Sequence, residues 1–91
     1  MTGMATIHLI VVTPENKFFE DDAEKVIVRT TGGDVCILPN HIDYAASLGE
    51  GEARVTDEKG DTRMARVHGG LIHVASNDVQ VICNQFEWID A

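Results

Sequence analysis

The sequence predicts an all-β protein, a flattened β-sandwich or small barrel of about eight to ten short strands. Three observations lead there. Turn-forming residues recur about every 8 to 12 positions. Apolar and polar residues alternate between them, the period of a half-buried strand. No stretch sustains the 3.6-residue apolar period of an amphipathic helix. With 91 residues, 44% of them hydrophobic, the chain suffices for a single domain over 1–91 whose core needs no metal or disulfide staple.

Ile7-His-Leu-Ile-Val-Val-Thr13 reads as the first strand. Ile7, Leu9 and Val11 share one face and His8, Ile10 and Val12 the other, so both faces are largely apolar. Pro14-Glu-Asn16 breaks it. Lys17-Phe-Phe-Glu20 reads as a short strand and Asp21-Asp-Ala23 as a polar turn. From Lys25 the chain spells an apolar strand around Val26 and Val28, a turn, and a second strand, Val35-Cys-Ile-Leu38. Gly32 and Gly33 supply the turn, since paired glycines accept positive φ. Pro39 stops the second strand because it donates no ladder hydrogen bond.

Asn40 to Gly49 shows little periodicity and reads as a connection with room for one helical turn. Glu52 to Thr56 alternates with Ala53 and Val55 inward, and Asp57-Glu-Lys-Gly-Asp61 is a charged hairpin loop. Thr62 to His68 returns with Ala65 and Val67 inward. Gly69-Gly70 then interrupts, which suits a close backbone approach or a sandwich corner. Leu71–Ala75 and Val79–Cys83 flank the turn Ser76-Asn-Asp78, and residues 85–91 form a tail carrying Phe86 and Trp88.

A net charge of −8 counts against nucleic acid or anionic lipid as a partner, because phosphate binding needs a basic face. No apolar run approaches the roughly 20 residues that span a bilayer. Met1 to Thr6 carry neither the positive charge nor the apolar region of a secretory signal, so a soluble protein is expected. Cys36 and Cys83 have no metal-ligand spacing and fall in apolar strand patterns; buried, reduced thiols are expected, with a cross-strand disulfide the alternative.

Four histidines, His8, His41, His68 and His73, raise a cupin-like metal site, which needs imidazoles converging inward. Their spacing does not force convergence, and no metal ligand is assigned. There is no Gly-x-Ser-x-Gly elbow and no phosphate-binding glycine loop. Glu20-Asp21-Asp22 and Asp57-Glu58 fall in turns, where solvated charge is the ordinary role. No catalytic residue and no cofactor are assigned. Asp34 stands apart, because packing does not require an acid at a hairpin tip and such tips are common binding positions.

Assembled, these segments resemble one family, the epsilon subunit of F-type ATP synthases, in its amino-terminal β-sandwich domain. The resemblance runs from about Ile7 to Asn84. It is carried by Ile7-His-Leu-Ile-Val-Val-Thr-Pro14, Val26-Ile-Val-Arg-Thr30, Gly33-Asp-Val-Cys-Ile-Leu-Pro-Asn-His41, His68-Gly-Gly-Leu-Ile-His-Val74 and Asp78-Val-Gln-Val-Ile-Cys-Asn84. It implies a non-catalytic subunit of the central stalk, packed on the gamma subunit and resting on the rotor ring of c subunits. Such a subunit helps couple ion passage through the ring to ATP synthesis. It is peripheral, on the cytoplasmic side of the bacterial inner membrane. The family's acidic tip residue, which contacts the ring, maps to Asp34, and the neighbouring loop brings in Leu38, Asn40, His41 and Ile42.

Three departures stand out. Cys36 and Asn40 replace glycines usual in the family, and Ile42-Asp-Tyr-Ala45 replaces Ala-Pro-Leu-Leu. The family's carboxy-terminal helical hairpin has no counterpart before Ala91, so helix-mediated inhibition by this chain is not expected. A stand-alone cupin-like metalloprotein is the alternative reading.

Overall fold

The computed structural model describes residues 6–40 and 42–89. Six strands form one sheet: β1 (Ile7–Val12), β2 (Lys17–Thr30), β3 (Gly33–Ile37), β4 (Tyr44–Asp57), β5 (Thr62–Ala75) and β6 (Asp78–Ile89). Their order is β1-β6-β5-β4-β2-β3, and a further antiparallel pairing of β1 with β2 closes the ring. β1 runs parallel to β6 and every other pairing is antiparallel. The all-β reading holds, and the barrel is flattened to 39 × 30 × 23 Å.

The described residues form six strands where the sequence suggested eight to ten, because several breaks are bends within continuous strands. Asp21-Asp-Ala23 is not a turn but part of β2, paired with Leu9, His8 and Ile7 of β1. The connection after Asn40 becomes β4 from Tyr44 onward, paired against β5 from Val74. Gly69-Gly70 lies inside β5, and β6 runs through the residues read as a tail, as far as Ile89.

Bending shows in which alternate residues face inward. β5 buries Ala65 and Val67 on one side of the glycines, but Ile72 and Val74 on the other, a switch from odd to even positions. β6 switches from Val79, Val81 and Cys83 to Phe86, and β4 from Leu48 to Ala53 and Val55. Pairing keeps one register across the bend, Leu48 with Gly70 and Glu50 with His68, since both strands use the same number of residues to turn the corner. The result is a crease across three strands.

Gly70 makes the crease possible. Its φ of 126° is open to glycine and strained for other residues. A Cβ there would lie 2.7 Å from the Cys83 Cα and closer still to the Ile82 carbonyl oxygen. The corner expected at this pair is therefore present, with the close backbone approach as well. In β2 the switch from Ala23 to Val26 occurs at a bulge opposite Asp57 and Thr56.

The two halves enclose one core, built on Ile7, Leu9, Ile37, Ile72, Val79 and Val81, all at most 1% exposed. Phe86 caps it, with its ring 5.0 Å from Phe18 and 4.9 Å edge-on from Trp88, which Arg63 covers at 3.8 Å. This aromatic packing holds the last turn of chain in the sheet and explains why the supposed tail is a strand. The buried hydroxyls are paired, Thr30 with the Gly33 carbonyl at 2.8 Å and Thr56 with Thr62 at 2.9 Å. Among the described residues no buried side-chain polar atom lacks a partner.

Replacing Gly70 with Ala should destabilise the protein by at least about 3 kcal/mol, combining left-handed strain with a backbone overlap that no rotamer relieves. Gly60 also has positive φ, 91°, but a Cβ there meets open space, so Gly60→Ala should cost only about 1 kcal/mol. Urea unfolding of both variants measures the difference.

Candidate functional site

The crease gives the two halves of β4, β5 and β6 different outer surfaces. On the half containing Ile72 and Val74, two cross-strand rows face solvent. One runs Val12, Ile82, Leu71, Ser47 and the next Ile10, Gln80, His73, Ala45. Leu71 is 45% exposed and Ile82 40%, so the centre of this face is apolar and open to water. A shallow depression of about 440 Å³ lies over Ala45, Leu71 and His73. The apolar second face of the first strand belongs here, through half-buried Ile10 and Val12. Beyond the crease, the outward positions carry charge, with Glu52, Arg66 and Glu87 in one cross-strand row. Alternating signs there favour the ladder and water, not an apolar partner.

Two loops border the apolar face. The β2–β3 hairpin turns through Thr31 and Gly32, and the Thr31 amide donates to the Ser47 carbonyl at 3.0 Å. Of the paired glycines only Gly33 has positive φ, 122°; Gly32 instead donates its amide to the Thr30 hydroxyl at 3.1 Å. At the tip, the Arg29 side chain donates through Nε to Asp34 Oδ1 at 2.6 Å. That hydrogen bond, aided by the charges of Arg29 and Arg54, holds the Asp34 carboxyl below the usual carboxylate range and raises Arg29. Both side chains are half in water, so the pair is worth little to stability. Because the folded value is depressed, whatever it contributes is present above the unfolded carboxyl's range and disappears as pH falls through the folded value.

The second loop follows β3. It places Leu38 49% and Ile42 77% exposed, with Pro39 in a turn between them. Asn40 stands at φ 65°, a conformation natural to glycine and tolerated by asparagine. This explains its substitution for the family's glycine. Cys36 faces outward beside Ile27, where a side chain has room. The expected burial of both thiols holds for Cys83 alone: in Val35-Cys-Ile-Leu38 every residue is apolar, so the inward phase could not be read, and Val35 and Ile37 take it. Both cysteines are free.

Asp34 and the second loop are not one cluster. They sit at opposite ends of β3, about 13 Å apart at strand rise from Asp34 to Leu38. Leu38, Asn40 and Ile42 lie at one end of the barrel with the β5–β6 turn, and His41 lies outside the described residues. The sequence missed Arg29, the partner of Asp34, although five residues across a two-residue hairpin turn is a spacing that pairs them. It also missed the two apolar rows, which emerge only once register is known.

The described histidines do not converge. His8 lies 3.3 Å from Asp22, His68 3.7 Å from Glu50, and His73 pairs in register with Gln80 and Ala45. Among the described residues no three metal-ligating side chains gather, and no helix is long and apolar enough to cross a membrane.

These features define a small closed β-sandwich module with an apolar sheet face bordered by a charged tip. Over residues 6–89 the chain matches the family described as ATP synthase, delta/epsilon chain, β-sandwich domain, and it belongs to that family. It is 40% identical over 88 residues to an ATP synthase epsilon chain of Ruminococcus albus, covering 96% of this chain and 65% of that one. An ATP synthase epsilon chain of Clostridium acetobutylicum is 33% identical over 84 residues, covering 92% and 63%. The chain thus spans a little under two thirds of these relatives. Its fold is similar to a chain in the Euglena gracilis mitochondrial ATP synthase solved with OSCP, F1 and c-ring, with TM-score 0.88, 21% identity and coverage of 99% and 59%. A chain of the Tetrahymena thermophila central stalk and c-ring gives 0.77 at 14% identity, covering 93% and 68%.

Two measurements check the site. Asp34 followed by NMR should titrate below an ordinary aspartate, and Arg29→Gln should move it back up; an unmoved midpoint would show that Arg29 is not the cause. A thiol reagent should modify Cys36 in the folded protein but Cys83 only on unfolding, because burial raises that thiol to about 11.

Proposed function

We propose that the chain is a non-catalytic central-stalk subunit of an F-type ATP synthase. In this reading it packs on the gamma subunit, rests on the rotor ring of c subunits, and helps pass ion-driven rotation of the ring to gamma and so to ATP synthesis. Its place is peripheral, on the cytoplasmic side of a bacterial plasma membrane. It needs no cofactor, since the work is mechanical.

The observation that carries this reading is the solvent-facing apolar pair Leu71 and Ile82, centred in rows that cross four strands. Outward strand positions on a solvated sheet are normally polar, and an apolar face bordered by polar loops marks a docking surface. Gamma is assigned to this face. The c ring is assigned to the tip at Asp34 and to the loop with Leu38, Asn40, His41 and Ile42. A carboxylate suits the polar loops of a ring, because basic and amide groups form charge-assisted hydrogen bonds with it. Relatives named as ATP synthase epsilon chains support the reading of this chain as a subunit of that complex.

Covering what remains exposed of Leu71 and Ile82 is worth on the order of 1 kcal/mol each. Leu71→Asp with Ile82→Asp should therefore weaken gamma binding by at least about 30-fold while the fold persists. Asp34→Lys should leave gamma binding intact and weaken rotor assembly. Pull-down with purified gamma and c ring checks both, and a double variant that still captures gamma would remove the face from the interface.

A further inference from the structure

Leu38 and Ile42 gain little from burial, so something else must give their loop its shape. The polar ties of Asn40 and Asp43 lead to one place, the β5–β6 turn. The Asn40 amide donates to Asn77 Oδ1 at 2.6 Å, and Asn77 Nδ2 reaches Asn40 Oδ1 at 3.4 Å. Nearby, the Ser76 amide donates to Asp43 Oδ1 at 3.3 Å. The loop is thus held near both ends by residues about 35 positions further along.

Asn77 is well placed to act as an anchor. Ser76 and Asn77 have φ of 50° and 68°, the two positive values of a tight two-residue hairpin turn. The turn is pinned by the Ala75–Asp78 pair. The Asn77 carbonyl also accepts the His8 amide at 2.8 Å, tying the same residue to β1. Its backbone therefore belongs to the barrel while its side chain belongs to the loop. In the loop, Asn40 is in the left-handed region, so its amide direction is fixed and aimed at that side chain.

We propose that Asn77 is the positioning residue of the ring-facing loop: its side-chain oxygen fixes Asn40 so that Leu38 and Ile42 are presented ready to dock. The inference rests on assigning this loop to the c ring. A loop ordered before contact loses less freedom on binding, and affinity gains by that difference. Asn77 itself touches no partner in this scheme.

The test compares the 91-residue chain with Asn77→Gly and Asn77→Asp, using the purified c-ring–gamma complex as the probe. Both substitutions tolerate positive φ, so the hairpin turn survives; Asp keeps the acceptor oxygen and Gly removes it. Asn77→Gly should bind about tenfold more weakly, with its melting temperature unchanged and the Asn40 amide exchanging faster. Asn77→Asp should restore binding and protection together. Wild-type binding by Asn77→Gly, or an unchanged Asn40 amide, would overturn the proposal. So would Asn77→Asp binding as weakly as Asn77→Gly. If Asn77→Gly fails to fold, hydrogen exchange in the wild-type chain decides instead: an Asn40 amide that exchanges as fast as an unstructured one overturns the proposal, because the Asn77 acceptor should protect it. A wild-type chain that does not bind the complex overturns the assignment of the loop itself, a result distinct from equal binding by wild type and variant.

Discussion

The approach of the Gly70 backbone to the carbonyl of Ile82 is the contact on which the molecule's shape depends. A side chain at that position would overlap β6, so the strands could not fold over one another there. Once they do, the inward positions change parity, and the same three strands present unlike outer surfaces on either side. The apolar rows around Leu71 and Ile82 and the charged row of Glu52, Arg66 and Glu87 are consequences of one bend. Surface chemistry here follows from backbone geometry. Four glycines, Gly49, Gly51, Gly69 and Gly70, lie along or beside the crease, but only the last is crowded by backbone on the adjacent strand.

Much of this was legible in the sequence. Alternation placed Ala53, Val55, Ala65 and Val67 inward, where they are buried, and the turn at Ser76-Asn77 was plain. What failed was the reading of interruptions. Asp21 and Asp22 are polar, yet β1 offers them backbone partners, and a solvent-exposed strand position places no demand on its side chain. Gly69-Gly70 is the expected corner with a close backbone approach, but the sequence places it between two strands, whereas β5 runs through it. Tyr44 to Gly49 lacked a clear alternation because it forms the apolar rows on one side and packs on the core with the other. Cys36 was misplaced for a related reason, since a run of apolar residues hides its phase. Of the proposed site, Asp34 was named from the sequence, while Arg29 and Asn77 were not, because their contacts are cross-strand and long-range hydrogen bonds.

The departures from the family pattern also become physical statements. Asn40 keeps the left-handed conformation that glycine would otherwise supply, and adds a side chain that Asn77 can hold. Cys36 needs only an outward position on β3, and it has one. Neither substitution disturbs the core, which is why the fold tolerates them although both lie in the most recognisable stretch of the chain.

The Arg29–Asp34 pair limits what the tip can contribute to docking. Arg29 already donates to Asp34 at 2.6 Å, so an incoming cationic or amide group must share the carboxylate or displace the guanidinium. Exchange of one half-solvated ion pair for another changes the free energy little, while the geometry of the match is demanding. In the proposed reading affinity then comes mainly from apolar surface, where burial of each side chain adds to it. In that reading a division of labour follows: the face around Leu71 and Ile82 would hold the module in place, and the tip would set its register. The net charge of −8 opposes self-association, and among the described residues the large exposed hydrophobics, Leu38, Ile42, Leu71 and Ile82, are the ones assigned to docking.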